Sequence, residues 1–308
     1  MFSLEHLNTL RSAEIDKIVT FFRPGARVLE IGAGTGQQAL ALAKRGVDIA
    51  AIEIPDSNYA QARLFPIVNY DGRHIPFDDG SFDIVFSSNV MEHISDLHQT
   101  NSEIRRVLRP GGYCLHVMPT HSWRFWTTLS AFPTAFQYAG TLQAKLLPRG
   151  LPRPNQLRSL ARAWLQVIHH LAAPFFQRRH GERGNIISEL WLFHPSWWRR
   201  AFREDQFEIV SDQPMGLFYT GNMTLGARLS LARREKLAKV LGSACHIFKV
   251  QPVRLNLGHG TLTPPSAPTS ASMPPSPQAA GRINAASAGW SIHIRNQSSN
   301  INSAHKRA

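Results

Sequence analysis

Two carboxylates, Glu53 and Asp71, each close a short run of β-forming residues, "VDIAAIEI" (47–54) and "PIVNYD" (66–71). A carboxylate at a strand end can accept hydrogen bonds from a pair of hydroxyls or from an amine. A third, Glu30, lies inside the apolar run "ARVLEIG" (26–32), where an unpaired charge is costly and must find a partner. Directly after that run, "GAGTG" sets Gly32, Ala33, Gly34 and Gly36 in one turn. Glycines there let the main chain turn tightly and let a ligand approach the backbone, and the N–H groups of the helix that follows offer donors. The spacing is G-x-G-x-G, with Gln37 where a dinucleotide fingerprint has its third glycine, so a nicotinamide site is disfavoured. His93, His121 and His180 are the candidates for taking a proton from a substrate. His180 shares the glycine-flanked stretch "RHGERGN" with Glu182, whereas His194, before "PSWWRR", reads as a cap or packing residue.

The elements that must position these groups alternate. Runs 26–32, 47–54, 66–71, 81–89 and 113–119 read as strands, and 37–46, 57–64 and the stretch "DLHQTNSEIRRVLRPGG" as helices, the first closed by Gly46. Alternation of this kind predicts a parallel sheet covered on both faces, with ligands beyond the C-terminal ends of the strands where the strand order reverses. After Pro119 the pattern changes to broken helical runs rich in Trp, Phe, Leu, Arg and Pro, which reads as an insertion. "HPSWWRRAFRED" (194–205) predicts a helix capped by Ser196 or introduced by Pro195, and "FEIVSDQ" returns as a strand. The expected division is 1–119, 120–193, 194–257 and a low-complexity tail, 258–308, too poor in large apolar groups to offset the entropy of ordering.

The formal net charge is +13 over 308 residues, but it is uneven: Thr120 to Phe202 holds 11 Arg or Lys against the two acids Glu182 and Glu189. A local basic region facing an anionic partner therefore fits better than a nucleic-acid-binding surface over the whole molecule. Cys114 and Cys245 form neither a disulfide framework nor a zinc pattern, and no metal site is expected. The N-terminus lacks the apolar region of a secretory signal, so the expected location is the cytoplasm, with contact at the inner face of the membrane as a possibility raised by residues 120–190. Their aromatics, among them Trp123, Phe125, Trp126, Phe175 and Phe176, suit either the core of a helical lid or helices resting on anionic lipid. The uncharged run 125–144 reaches spanning length, yet its Thr, Ser, Gln and central Pro argue against a membrane span.

Taken together, "VLEIGAGTG", "AIEIPDSNYAQAR", "DGRHIPFDDGSFDIVFSSNVMEH" and "EIRRVLRPGGYCLHVMP" resemble, in order, motifs of the class I S-adenosylmethionine-dependent methyltransferases of the type 11 kind. The resemblance covers about residues 13–119 and, more loosely, 190–220. It implies a Rossmann-like α/β fold: a doubly wound, mostly parallel sheet of about seven strands with a helical insertion after strand five. It implies S-adenosyl-L-methionine as cofactor, with Glu53 on the ribose hydroxyls, where the family more often has Asp. Asp71 is placed on the adenine amine, with an Asx turn before Gly72 as its alternative. Ile54 is placed on the adenine face, or else in the core. Asn89 is placed near the methionine part, or else in a strand-end turn, and Glu30 near the cofactor's amino group. The implied activity is methyl transfer, at oxygen, to a small-molecule, glycan or lipid-linked acceptor. An RNA methyltransferase and a cofactor-binding interaction protein without catalysis are the alternatives, nucleic acid being the less favoured partner.

Overall fold

A computed structural model describes residues 4–57, 59–146, 164–169, 171–222 and 226–253. The proposed tail 258–308 and Arg149 and Arg153 of the basic stretch lie outside them. Seven strands form one sheet: β1 (Arg27–Ile31), β2 (Asp48–Glu53), β3 (Val68–Asn69), β4 (Phe82–Ser88), β5 (Leu108–Pro119), β6 (Phe207–Pro214) and β7 (Cys245–Pro252). Their spatial order is β3-β2-β1-β4-β5-β7-β6. β1 pairs in parallel with β2 and β4, as β2 does with β3 and β4 with β5. Only β7 runs the other way, between β5 and β6. This is the doubly wound, mostly parallel α/β sheet expected, and its order reverses between β1 and β4.

Both faces of the sheet are buried. On one, Val28, Ile84, Phe86, Leu115 and Ile247 pack with Leu10, Ile15 and Ile18 of α1 (Leu4–Ile18) and with Ala39 and Leu42 of α2 (Gln37–Ala43). On the other, Leu29, Ile31, Val85 and Phe248 meet Ile104 and Val107 of α3 (Leu97–Val107) and Trp198 and Phe202 of the Pro195–Glu204 helix. Because side chains alternate along β1, Glu30 shares the face of Val28 and points toward α1 and α2. α4 (His121–Leu146) leaves β5 directly and carries Pro133 inside it. A helical stretch at 164–169, a turn of 3₁₀-helix at Ala173–Phe176 and the short α5 (Glu189–Leu192) lead to α6 (Pro195–Glu204), and α7 (Leu231–Leu241) precedes β7.

Three local expectations are corrected, and a fourth is decided between its alternatives. The described residues of 57–64 do not form a helix: 59–64 make turns, with Leu64 N–H donating to Thr35 O and Tyr59 and Leu64 left exposed, so no apolar face is buried to stabilise a helix. Pro66 also holds Phe65 away from helical geometry. β3 is confined to two exposed residues at the sheet edge, so Asp71 lies beyond the strand rather than at its end. The helix before β5 stops at Val107, and Leu108 already pairs with Phe82 in the sheet, with a register shift that absorbs Arg109–Gly112. At α6 the alternatives resolve to His194 as the cap, its Nδ1 accepting from Ser196 N, with Pro195 in the first turn, rather than to Ser196. α1, which the sequence pattern did not single out, covers the sheet face nearest the glycine turn.

Candidate functional site

The reversal of strand order places the glycine turn after β1 beside the segment that follows β4. Gly32 and Ala33 donate to Ile52 O at 3.0 and 3.1 Å, tying the turn to β2. Gly32 has φ +69°, and a Cβ there would lie 2.5 Å from a Val90 methyl. Gly36 has φ +76°, and a Cβ would lie 2.7 Å from the Phe65 Cβ. Both positions need glycine for conformation and for the protein's own packing, which adds a reason to the ligand approach inferred from sequence. Over Gly34 the nearest group is the Tyr59 ring.

Glu53 ends β2, and its Oε2 accepts from Gly34 N at 2.7 Å while Oε1 accepts from Ile54 N at 2.9 Å. Glu30 is buried under the turn, with Oε2 lacking a hydrogen-bond partner among the described residues. Burial pushes its carboxyl up to about 8, the Ala39 N–H opposes this, and Glu53 adds to it. Ile54 is exposed rather than in the core, and its side chain lies in van der Waals range of Gly72. Asp71 occupies the turn named as its alternative: Oδ1 accepts from Arg73 N and His74 N, and Oδ2 faces His74 Nδ1 at 3.0 Å. These bonds, the His74 amide first among them, hold its carboxyl well below the usual range. Asn89 has a left-handed backbone, φ 54°, and donates from N to Val117 O. With its amide turned, its oxygen accepts from Arg11 Nη1 at 2.9 Å.

Of the three candidate histidines, the structure unites two. His93, at the end of the 3₁₀ turn Met91–His93, and His180 lie with ring centroids 4.8 Å apart. Between them is Glu92, fully buried, with Oε1 3.8 Å from His93 Nε2 and 3.9 Å from His180 Nε2. Neither oxygen of Glu92 has a hydrogen-bond partner among the described residues. Burial pushes Glu92 up to about 8 and His180 down to about 3, and lowers His93. The His180 loop is pinned by Glu189 of α5, whose Oε1 accepts from His180 N at 2.5 Å and Gly181 N at 2.7 Å. Arg124 of α4 forms a buried ion pair with Glu189 at 2.8 Å. Glu182, beside this loop, donates from its backbone N to Glu92 O. His121 stands apart, its ring 4.6 Å from that of His194.

Sequence reading missed Glu92, Arg11, Glu14, Tyr219 and the Arg124–Glu189 pair. Glu92 stood in the quoted "NVMEH", and a carboxylate in an otherwise apolar strand exit was the available signal. Tyr219 Oη donates to Glu14 Oε1 at 2.6 Å across residues remote in sequence, for which local pattern holds no signal. The site therefore offers a glycine turn with an orphaned acid for a cationic, hydroxyl-bearing ligand, next to a carboxylate–imidazole cluster able to act on a proton-bearing group.

Residues 29–116 match the methyltransferase domain family. An uncharacterized methyltransferase of Mycobacterium sp. strain JLS is 39% identical over 108 residues, 32% of this chain and 42% of the relative. The chain thus spans about two fifths of the length of this relative and of two further mycobacterial ones at 38% identity. A ubiquinone biosynthesis O-methyltransferase of Bordetella avium is 28% identical over 177 residues, 52% of this chain and 69% of the relative. A solved S-adenosylmethionine-dependent methyltransferase of Aquifex aeolicus aligns at 12% identity over 81% of this chain and 98% of its own, with a TM-score of 0.42.

Proposed function

Because the chain belongs to the class I S-adenosylmethionine-dependent methyltransferases, we propose that it transfers the sulfonium methyl of S-adenosyl-L-methionine to a hydroxyl oxygen of a small aromatic acceptor. The observation that carries this reading is the meeting of His93 and His180 at buried Glu92, on the same rim of the sheet as the glycine turn. A hydroxyl, unlike an electron-rich carbon or a free amine, must shed its proton to become a competent nucleophile, and this cluster is where such a group would be held.

The chain's residues fit the cofactor. Glu30 presents a buried acceptor without a donor, which a cationic amine would complete. Glu53 would exchange part of its hold on the turn for the ribose hydroxyls. Ile54 and Gly72 offer an apolar, uncluttered edge for the adenine, and Asp71 keeps lone pairs beyond its turn for the adenine amine. When bound, the cofactor supplies an already activated leaving group. The protein's task is then orientation and exclusion of water, contributions of roughly 7–11 kcal/mol in favourable intramolecular models.

The acceptor class draws on the name of the Bordetella relative, a ubiquinone biosynthesis O-methyltransferase. Phe136, Phe175, Phe176 and Trp191 expose apolar surface on the elements after β5, suited to an acceptor carrying a hydrocarbon tail and to contact with a membrane surface. Among the described residues no helix is long and apolar enough to cross a membrane.

The test is methyl transfer from labelled cofactor to phenols and catechols with and without an isoprenoid tail, read by mass spectrometry of the product. An O-methyl ether is expected. Cofactor binding without label in any phenol, or label placed on carbon or nitrogen, overturns the reading.

A further inference from the structure

Glu92 poses a problem that methyl transfer alone does not solve. Its carboxylate is fully buried, and neither oxygen has a hydrogen-bond partner among the described residues. A buried acid in that condition is costly unless a proton or a cation meets it. Arg183, whose charge reaches the site, donates instead to the Met91 and Ile94 carbonyls. What does face Glu92 are two imidazole nitrogens, His93 Nε2 and His180 Nε2, with no two of the three ligand atoms farther apart than 4.8 Å.

We propose that Glu92, His93 and His180 form a mononuclear site for a divalent transition-metal ion of the zinc class, with a coordination position left open to the acceptor. Two imidazoles and one carboxylate are a donor set suited to such ions, and three protein ligands with an open position are the arrangement of catalytic rather than structural sites. Ligand bonds of about 2.1 Å at a tetrahedral angle require ligand atoms about 3.4 Å apart. The two carboxylate–imidazole distances of 3.8 and 3.9 Å are a few tenths of an ångström wider, and with the imidazole pair within 4.8 Å, closing on an ion requires rotation of the His93 side chain, which is 37% exposed. The second ligand histidine does not depend on chance placement. Glu189 fixes the His180 backbone and is itself held by Arg124, so the loop that delivers His180 is built into the fold. Sequence spacing showed no metal pattern because the ligands come from two distant segments, the β4 exit and the stretch before α5.

The role assigned to the ion rests on the proposed O-methylation. A bound hydroxyl oxygen loses its proton to water more readily when a cation polarises it. That oxygen then bonds to the methyl carbon as the carbon–sulfur bond breaks, and the sulfonium leaves as a neutral thioether. The histidines named from sequence as proton acceptors are, in this arrangement, ligands.

The experiment uses the tag-free full chain, stripped with chelator and titrated with Zn(II) by calorimetry and with Co(II) by visible absorption. S-adenosylmethionine binding is measured on the same samples. One saturable equivalent per chain is expected, with a Co(II) ligand-field band. Glu92→Gln and His180→Ala should each weaken binding by more than about a hundredfold, beyond the effect of losing an outer-shell partner, and change the band. His93→Ala, altering an exposed group, serves where circular dichroism shows that either variant fails to fold. Absence of the one-equivalent site, or a site with the same affinity and spectrum in the variants, overturns the proposal. Loss of cofactor binding with the metal site intact would instead sink the methyltransferase reading.

Discussion

Glu53 holds the glycine turn closed from the end of β2, through Gly34 N and Ile54 N. The same carboxylate is the one proposed for the ribose, so its removal should act on cofactor affinity more than on folding. Glu53→Ala is expected to weaken S-adenosylmethionine binding by about ten- to a hundredfold, the loss of charge-assisted hydrogen bonds of roughly 1.5–3 kcal/mol, as measured by calorimetry. Gly36 carries a structural burden instead. Gly36→Ala puts a Cβ 2.7 Å from that of Phe65 on a backbone at φ +76°, and should destabilise the fold by roughly 1–3 kcal/mol in urea unfolding. Legibility at this scale followed locality. The bend of the glycine turn was readable because its conformation depends on neighbours in sequence. The convergence of His180 on Glu92 was not, since it depends on how the segment after α4 returns across the β4 exit.

Among the elements, β1, β2 and β4 were legible because each is a continuous apolar run flanked by turn residues, the signature of a strand buried on both faces. Residues 57–64 misled because "SNYAQARL" has helical composition, while its partners, Thr35 and the glycine turn, decide otherwise. α1 escaped notice because its apolar face, Leu10, Ile15 and Ile18, is interrupted by half-buried Arg11, which lies against Asn89, and buried Glu14, which meets Tyr219. α6 shows the opposite case. Trp198 and Phe202, one turn apart, are buried in the second core, and Phe202 lies against Phe248 and stacks on His116. Phe202→Ala should cost about 3–5 kcal/mol of stability in denaturant unfolding, without a change in cofactor affinity for the molecules that remain folded.

For the molecule as a whole, the sheet buried between two cores carries a histidine at its centre. His116 in β5 is fully buried, with Nδ1 2.8 Å from Ser87 Oγ and Nε2 without a hydrogen-bond partner among the described residues. Burial pushes it down to about 3 from an ordinary 6.5. Between those values the unfolded chain binds one more proton than the folded chain, so this residue's contribution to stability is complete above pH 6.5 and is lost as pH falls toward 3. Urea midpoints measured across that window should decline less steeply in His116→Gln, which keeps a partner for Ser87 but does not titrate. An unchanged slope would show that His116 does not report the protonation of the core.

Among the described strands β7 alone runs against the others, and it lies between β5 and β6 rather than at an edge. All of β6's ladder partners among the described residues are therefore supplied by Cys245–Pro252, which emerges after β6 during synthesis. A nascent chain that has reached α7 holds a five-stranded half with β5 bare along one side and β6 waiting for a neighbour. Premature termination ahead of Cys245 would leave that open flank, with its Cys114–Pro119 backbone groups, free to recruit strands from other chains.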